Sequence, residues 1–486
     1  MDMRPSFETA PNVRILINIG AGLDIPTGEY IYGKYGESIL NGGLGAISSV
    51  VAIGNNFKTT LTDYMTLSAA SRLSTTSDTS INTFDTESSK HEGHAKAQSQ
   101  RFDEFKNRDI LQEGFWNITD QTMYAANKWF DKTKEFCTAK VANAAKLEKE
   151  TPFLNRDCKT LLKVLPITFA EIDSFTEFTT DDVFKMQDEN ELGASGRNTM
   201  FMRAGLSKTT FLAELPTVVN KSYHFTLMTA QIGKDIVMAS GPIPVPPNKK
   251  LQHLKNGDKL KGVTDKFTFL MSNCWHSYNA APLLNQSTKS PEYPRNSDDT
   301  IVGDLDLNII SLRQLRSKSG PTGYVLTLIV SQIEGVLPSL TEFHYIKESE
   351  RYGLNGSLHN YSLDLLPDLK LSRTTVRGKI DSDPLLRRAL NITSEMCQML
   401  QFWRTMDEEL MCTPKVLYDD LIKLGYDWNV LLNTRGWWCL DNDKHPIPFL
   451  STKDLLNMRI GKYKPYWLED DKKTIKKDFI KNCIKK

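Results

Sequence analysis

The chain has 486 residues, and 60 basic against 59 acidic side chains leave a net charge of +1. That balance excludes a uniformly basic nucleic-acid binder, so any basic groove must be local. A hydrophobic content of 40% with 24% charged residues predicts a soluble globular protein, and roughly 150 residues per domain predicts more than one folding unit.

In chain order, the first 48 residues are glycine-rich and lack helical periodicity, with a predicted strand at 14–19 and a tight turn at Asn41-Gly42-Gly43-Leu44-Gly45. This segment is expected to form a separate unit, a possible subunit-contact arm. The apolar run Val50-Val51-Ala52-Ile53 then leads into Gly54-Asn55-Asn56-Phe57-Lys58-Thr59-Thr60. It reads as a strand running into a phosphate-binding loop, G-x-x-x-x-G-K-[ST], whose backbone N–H groups cradle phosphates. Lys58 and Thr59 are in place, whereas Ala52 and Phe57 occupy the two glycine positions. The other reading is a Gly/Asn turn with Lys58 as a surface charge. Leu61, Tyr64, Met65, Leu67 and Ser68 follow at spacings that predict a helix.

A short strand is expected at 80–87, ending in acids, and helices inserted into an α/β core over 101–150. Two apolar strands follow, one ending at Asp173-Ser174 and one at Gln231. The Pro/Gly/Lys-rich segment 233–262 predicts a long mobile loop. Strand-like runs at 266–271, 304–312 and 324–333 predict antiparallel extension of the sheet. Helices are expected at 385–403 and 415–424, followed by Arg435-Gly436-Trp437-Trp438 and seven lysines between 472 and 486. The predicted domains are 1–48, 49–375 and 376–486, the last an α+β unit with a basic tail. Seven scattered cysteines without a C-x-x-C pair predict a reducing compartment and no zinc site. With no signal-peptide core and no run of ~20 apolar residues, the expected location is the cytoplasm, a host's if the protein is viral.

Lys58-Thr59, Glu87, Asp173-Ser174 and Gln231 stand at four successive strand ends. Strand C-termini of an open parallel sheet share one edge, where ligands bind. Each residue type suits ATP hydrolysis: Lys58 for β/γ-phosphate charge, Thr59 and Asp173 for Mg²⁺, Glu87 for the attacking water and Gln231 as γ-phosphate sensor. Singly, Asp173-Ser174 reads equally well as a helix cap and Glu87 or Gln231 as surface residues.

In this order, G-G-L-G-x-I, F-K-T, F-D-T-E, I-D-S and A-Q resemble the RecA-type recombinases over about 12–350, with Phe57 nearest the UvsX-like phage branch. Leu421-Ile422-Lys423-Leu424-Gly425 and Gly436-Trp437-Trp438 extend the resemblance. It implies a RecA-like P-loop ATPase core, a mostly parallel sheet flanked by helices with antiparallel extension. Gly54, Asn55, Asn56, Phe57, Lys58, Thr59 and Thr60 would hold ATP, Thr59 and Asp173 Mg²⁺, and Glu87, Lys58 and Gln231 would be catalytic. Two DNA-holding loops would be 175–203, with Arg197 and Arg203, and 233–262, with Lys249, Lys250, Lys255, Lys259 and Lys261. The implied partners are single-stranded and duplex DNA and further copies of the chain in a filament or ring with ATP between subunits, together with a single-strand-binding protein and a loader.

The chain departs from the family at both loop glycines, in a longer span from Lys58 to Asp173, and at Glu171, which interrupts a strand buried on both faces. Paired lysines on the late strand are lacking, and Arg313, Arg316 and Lys318 are the substitutes across a subunit interface. The lysine-rich end suits duplex recruitment or a solvated helix. Alternatives are a hexameric replicative helicase, whose loop commonly opens with alanine as at Ala52, a non-hydrolysing filament or mediator protein and, more distantly, a packaging motor.

Overall fold

The computed structural model describes residues 14–73, 78–155, 158–190, 196–234, 251–296, 298–299, 301–349, 352–357, 359–402 and 406–484. An antiparallel hairpin, β1 (Glu29–Tyr32) and β2 (Ser38–Asn41), precedes the central sheet. The predicted strand at 14–19 is a buried extended segment tied by a single bridge, Ile17 to Leu44. Ile17, Ile19 and Leu44 join the main core, and Ser38 N–H donates to Asp454 Oδ1 at 2.7 Å. The described part of the N-terminal segment is therefore packed into the body of the protein.

The chain then forms β3 (Ile47–Ala52), β4 (Ile81–Asp85), β5 (Trp116–Asp120), a separate hairpin of β6 (Lys149–Leu154) and β7 (Leu161–Val164), and β8 (Thr168–Asp173). After these come β9 (His224–Lys234), β10 (Asp258–Leu260), β11 (Asn273–Pro282), β12 (Leu307–Ser317), β13 (Val325–Ser331) and β14 (Gly335–Val336). The central sheet runs β14-β13-β12-β11-β3-β9-β8-β4-β5, with β10 paired to the end of β9. Pairings from β5 through β11 are parallel, while β12, β13 and β14 extend the sheet antiparallel.

Both faces are covered, which explains the near-continuous apolar strands. On one face Val50, Phe169 and Leu227 pack with Leu61 and Met65 of α1 (Lys58–Leu73). On the other, Val51, Ile172 and Met228 pack with Trp129 and Phe130 of helix Ala126–Ala142 and Phe211 and Leu212 of helix Gly196–Ser222. Helix α1 is buried almost all round. Its threonines bury their hydroxyls at little cost by returning them to the preceding turn, Thr62 to Lys58 O at 3.0 Å and Thr66 to Thr62 O at 3.1 Å.

Four expectations need correction. The span 101–150 is not purely an insertion of helices: Trp116–Asp120 is the edge strand of the main sheet, its aromatic/β-branched alternation hidden among charged neighbours. The apolar stretch from Leu161 that ends at Asp173-Ser174, expected as one strand, is two strands in different sheets, separated at Pro166. The run 266–271 is a helix and not a strand as far as residue 270, within Asp265–Leu270, with Asp265 supplying the first-turn acid that favours a helix start. Finally, the described ends of 233–262 are ordered: β9 runs to Lys234, and β10 pairs antiparallel with it.

Beyond the sheet lie three short antiparallel strands, β15 (Leu354–Ser357), β16 (Asn360–Leu363) and β17 (Leu366–Leu371), and then helices. Pro384–Phe402 and Pro414–Lys423 match the two predicted helices. Among the described residues after 375, extended pairing is limited to isolated bridges. Cys137, Cys274 and Cys412 are free thiols. Among the described residues, no helix is long and apolar enough to cross a membrane.

Candidate nucleotide and nucleic-acid site

Register brings the ends of β3, β4 and β8 level with Gln231, which lies within β9 and not at its end as expected. Ala52 lies opposite Gln231 on one side and Ser277 on the other, and Asp85 lies opposite Asp173. From β3 the chain goes first to β4, beyond β9 and β8, and later to β11 on the opposite side. The C-terminal end of β3 is thus a point where strand order reverses, the position at which open α/β sheets bind ligands.

The loop leaving β3 holds its shape without the usual glycines. Asn55 and Phe57 adopt left-handed backbone at φ 61° and 55°, and the Phe57 ring packs against the main core. Ser277 Oγ donates to Asn56 O at 2.7 Å, fastening the loop to β11. A side chain at Gly54 would meet nothing within 4 Å, so this backbone is open to close approach. Helix α1 starts at Lys58 with no acid in its first turn. Its free N–H groups and dipole suit an anion. Lys58 itself has no ion-pair partner among the described residues.

Asp173 is only 3% exposed. Thr59 Oγ1 donates to its Oδ2 at 2.6 Å and Thr229 Oγ1 to its Oδ1 at 2.5 Å. The Asp173–Ser174 peptide bond is cis. Ser174 N–H donates to Thr86 Oγ1 at 2.7 Å, and Thr86 Oγ1 donates to Ser174 O at 2.8 Å. Ser174 Oγ donates to Glu87 Oε1 at 2.8 Å, and Gln231 Nε2 reaches the same oxygen at 3.4 Å. Asp85 orients the turn that carries Glu87, accepting from the Glu87, Ser89 and Lys90 N–H groups at 3.1, 2.8 and 2.7 Å. Thr59, Asp173 and Thr229 therefore form one hydrogen-bonded group and Ser174, Glu87 and Gln231 a second, adjoining through the Asp173–Ser174 main chain. The sequence reading gave no role to Asp85, Thr86 or Thr229, although Asp85 and Thr86 stand in the quoted F-D-T-E motif and Thr229 lies two residues before Gln231 in β9.

Glu171 is fully buried but paired. Lys90 Nζ lies 2.6 Å from Glu171 and 2.6 Å from Asp63. Thr66 donates to Glu171, as does Thr83 at 2.5 Å. Burial pulls Lys90 down, but Asp63, Glu171 and Asp173 outweigh it and hold its ammonium well above the usual lysine range. The triad joins α1, β8 and the turn after β4 beneath the candidate site.

The DNA candidates divide. Lys249, Lys250 and the side chain of Arg197 lie outside the described residues. Arg203 is in helix Gly196–Ser222, not a loop, and pairs with Asp182 at 3.0 Å. Lys255, Lys259 and Lys261 are exposed along the β10 segment. That segment touches the site, since Lys261 N–H donates to Gln231 O at 2.8 Å and Gln231 N–H to Thr176 Oγ1 at 3.0 Å. Lys208, also missed, donates to Thr176 O at 2.5 Å and Gly262 O at 2.8 Å. Burial lowers its ammonium to about 8. Arg313, Arg316 and Lys318 all donate to backbone carbonyls of this chain.

Among the described residues, no three His, Cys, Asp or Glu converge on a metal. One hydroxyl beside one carboxylate fits Mg²⁺, which keeps several waters and takes phosphate oxygens. Compared with known protein families and with curated proteins, the chain matches none.

Proposed function

We propose that the protein is a DNA-dependent ATPase of the RecA type, a recombinase that assembles on single-stranded DNA and promotes strand exchange. The observation that carries this reading is the two hydrogen-bonded pairs Thr59–Asp173 and Glu87–Gln231, side by side at the edge where strand order reverses.

In this reading ATP lies along the Gly54–Thr60 loop, and Lys58 and the start of α1 take its β- and γ-phosphate charge. Thr59 and Asp173 would hold Mg²⁺, which supplies charge neutralisation at the phosphates. Glu87 aligns the attacking water, with Ser174 and Gln231 fixing its carboxylate. Loss of the γ-phosphate would be read at Gln231 and passed through Lys261 and Thr176 to the β9–β10 segment. There Lys255, Lys259 and Lys261 contact DNA phosphates, giving sequence-tolerant, salt-dependent binding.

Ala52 favours a second reading, a ring helicase on the same core. An ATPase assay with and without single-stranded DNA, followed by electron microscopy of the same sample, separates the two. The recombinase reading expects DNA-stimulated hydrolysis, abolished by Lys58→Ala, and DNA-dependent filaments. Closed rings point to the helicase, and unchanged hydrolysis in Lys58→Ala removes the site assignment.

A further inference from the structure

At the opposite end of α1 from the candidate nucleotide loop lies a cavity of about 430 Å³ that this reading does not use. A 16-residue helix places its ends roughly 24 Å apart. The cavity is walled by Ser71 and Arg72 at the end of α1, by segment 100–106, by the start of helix Pro338–Ser349, by helix Pro384–Phe402 and by segment 432–437. Its volume falls within the range of small-molecule sites, about 300–1,000 Å³.

The charges lining it are unevenly compensated. Arg101, Arg377 and Arg387 pair with Asp381, Glu334 and Asp103. Among the described residues, Arg72, Arg388 and Arg435 have no carboxylate within ion-pair distance, although the charges of Glu342 and Glu395 reach Arg388 and that of Asp24 reaches Arg72. Arg72 donates to Ser68 Oγ at 3.0 Å and stacks over the Trp437 ring at 5.0 Å. Arg388 is 5% exposed and donates to Leu450 O at 2.5 Å and to Asn391. Arg435 is fully buried and gives its donors to the carbonyls of Ile447, Trp437 and Asn442.

Besides the paired Asp103 and Asp381, the acids lining the cavity are Asp24, Glu104, Glu342 and Glu395, none of them within ion-pair distance of Arg72, Arg388 or Arg435. Burial raises Glu342 to about 8 and Asp24 to about 7, with Arg72 opposing in both cases, and it also raises Glu395. Ser339 and Leu340 bring to the same cavity the N-terminal turn of a 12-residue helix with no acid there. Guanidinium groups that make no ion pair, beside a helix N-terminus, favour an oxyanion. Phe102, Leu340 and Trp437 add an apolar wall, and the volume exceeds what a bare phosphate needs.

We propose that this cavity is a second ligand site, for a small phosphate-bearing solute held by Arg72 and Arg388. Its source is either a phosphate monoester of nucleoside size, with the organic part against Phe102 and Trp437, or free phosphate.

The test is calorimetric titration of the full chain carrying Lys58→Ala, which removes the principal phosphate contact of the candidate nucleotide loop from the signal. The probes are inorganic phosphate and adenosine 5′-monophosphate. One saturable site is expected below about 10 mM, tighter for the monoester if that is the source. Arg72→Gln is expected to weaken it at least about tenfold, as loss of a charge-assisted contact should. Ser339→Trp, which fills the cavity without changing its charge, is expected to weaken the monoester by a similar factor, and either folded variant suffices. No saturable binding of either probe, or binding unchanged in both variants, overturns the proposal. Because Lys58 is already absent, neither result bears on the ATPase reading.

Discussion

Thr229 donates its hydroxyl to Asp173 Oδ1 at 2.5 Å, from a neighbouring strand, so the carboxylate that would serve Mg²⁺ is oriented by a residue that touches no nucleotide in the proposed arrangement. Thr59 takes the other oxygen, leaving little rotational freedom to Asp173. Replacing Thr229 by valine keeps the shape and removes the donor. A hydrogen bond to a charged group is worth about 1.5–3 kcal/mol, so Thr229→Val should lower DNA-stimulated ATPase activity by roughly 10- to 100-fold. Its Mg²⁺ dependence should shift to higher concentration, whereas a purely structural role would leave that dependence unchanged.

Lys90 is the shared counter-charge of Asp63 and Glu171, all three buried. Lys90→Met strands two carboxylates. Urea denaturation should show a loss of about 3–5 kcal/mol, the usual cost of breaking a buried ion pair from one side. A loss near zero would mean that the triad is not compensated as its geometry indicates.

His224 is completely buried, its Nδ1 2.7 Å from Thr168 Oγ1, with Lys140 also reaching Thr168 and the Phe136 ring alongside. Burial and then Lys140 lower it from 6.5 to about 3. The folded state therefore holds it neutral, and its contribution is fully present above pH 6.5. As pH falls from 6.5 towards 3 the unfolded chain takes up the proton first, and stability declines by about 1.4 kcal/mol per pH unit. His224→Gln removes this slope. Urea midpoints of the two proteins at pH 7 and pH 5 should diverge accordingly, and parallel midpoints would contradict the assignment.

Phe57 holds a left-handed backbone at the second glycine position of the loop. A β-branched residue strains there while glycine does not. ATP affinity of Phe57→Gly should stay within about threefold of the parent, and Phe57→Val should lose at least about 1 kcal/mol of it. Equal losses in the two would show that ring packing, not backbone conformation, matters at this position.

If Lys255, Lys259 and Lys261 contact phosphates, changing all three to alanine should reduce the salt dependence of single-stranded DNA binding by about two logarithmic units, at roughly 0.7 per contact. The effect should be the same on every sequence tested. An unchanged slope would remove this segment from the DNA interface.

The sequence by itself determined the strand–loop–helix around Lys58, because apolar runs, glycine and asparagine turns and helical spacing are local properties. It also determined that Asp173 ends a strand, since it closes an apolar run, whereas the strand expected to end at Gln231 runs on to Lys234. Tertiary structure decided what those ends touch. Parallel pairing sets Ala52 against Gln231 and Asp85 against Asp173, and sheet register depends on contacts far apart in the chain. The same cause hid Trp116–Asp120, a half-buried edge strand that reads as a polar insertion until β4 lies beside it. It also hid the compensation of Glu171, since Lys90 comes from another element and only packing brings the charges together. The arginines that make no ion pair around the second cavity were equally silent in the sequence. Arg72, Arg388 and Arg435 belong to three distant segments, and it is the packing of the C-terminal helices against the end of α1 that gathers them.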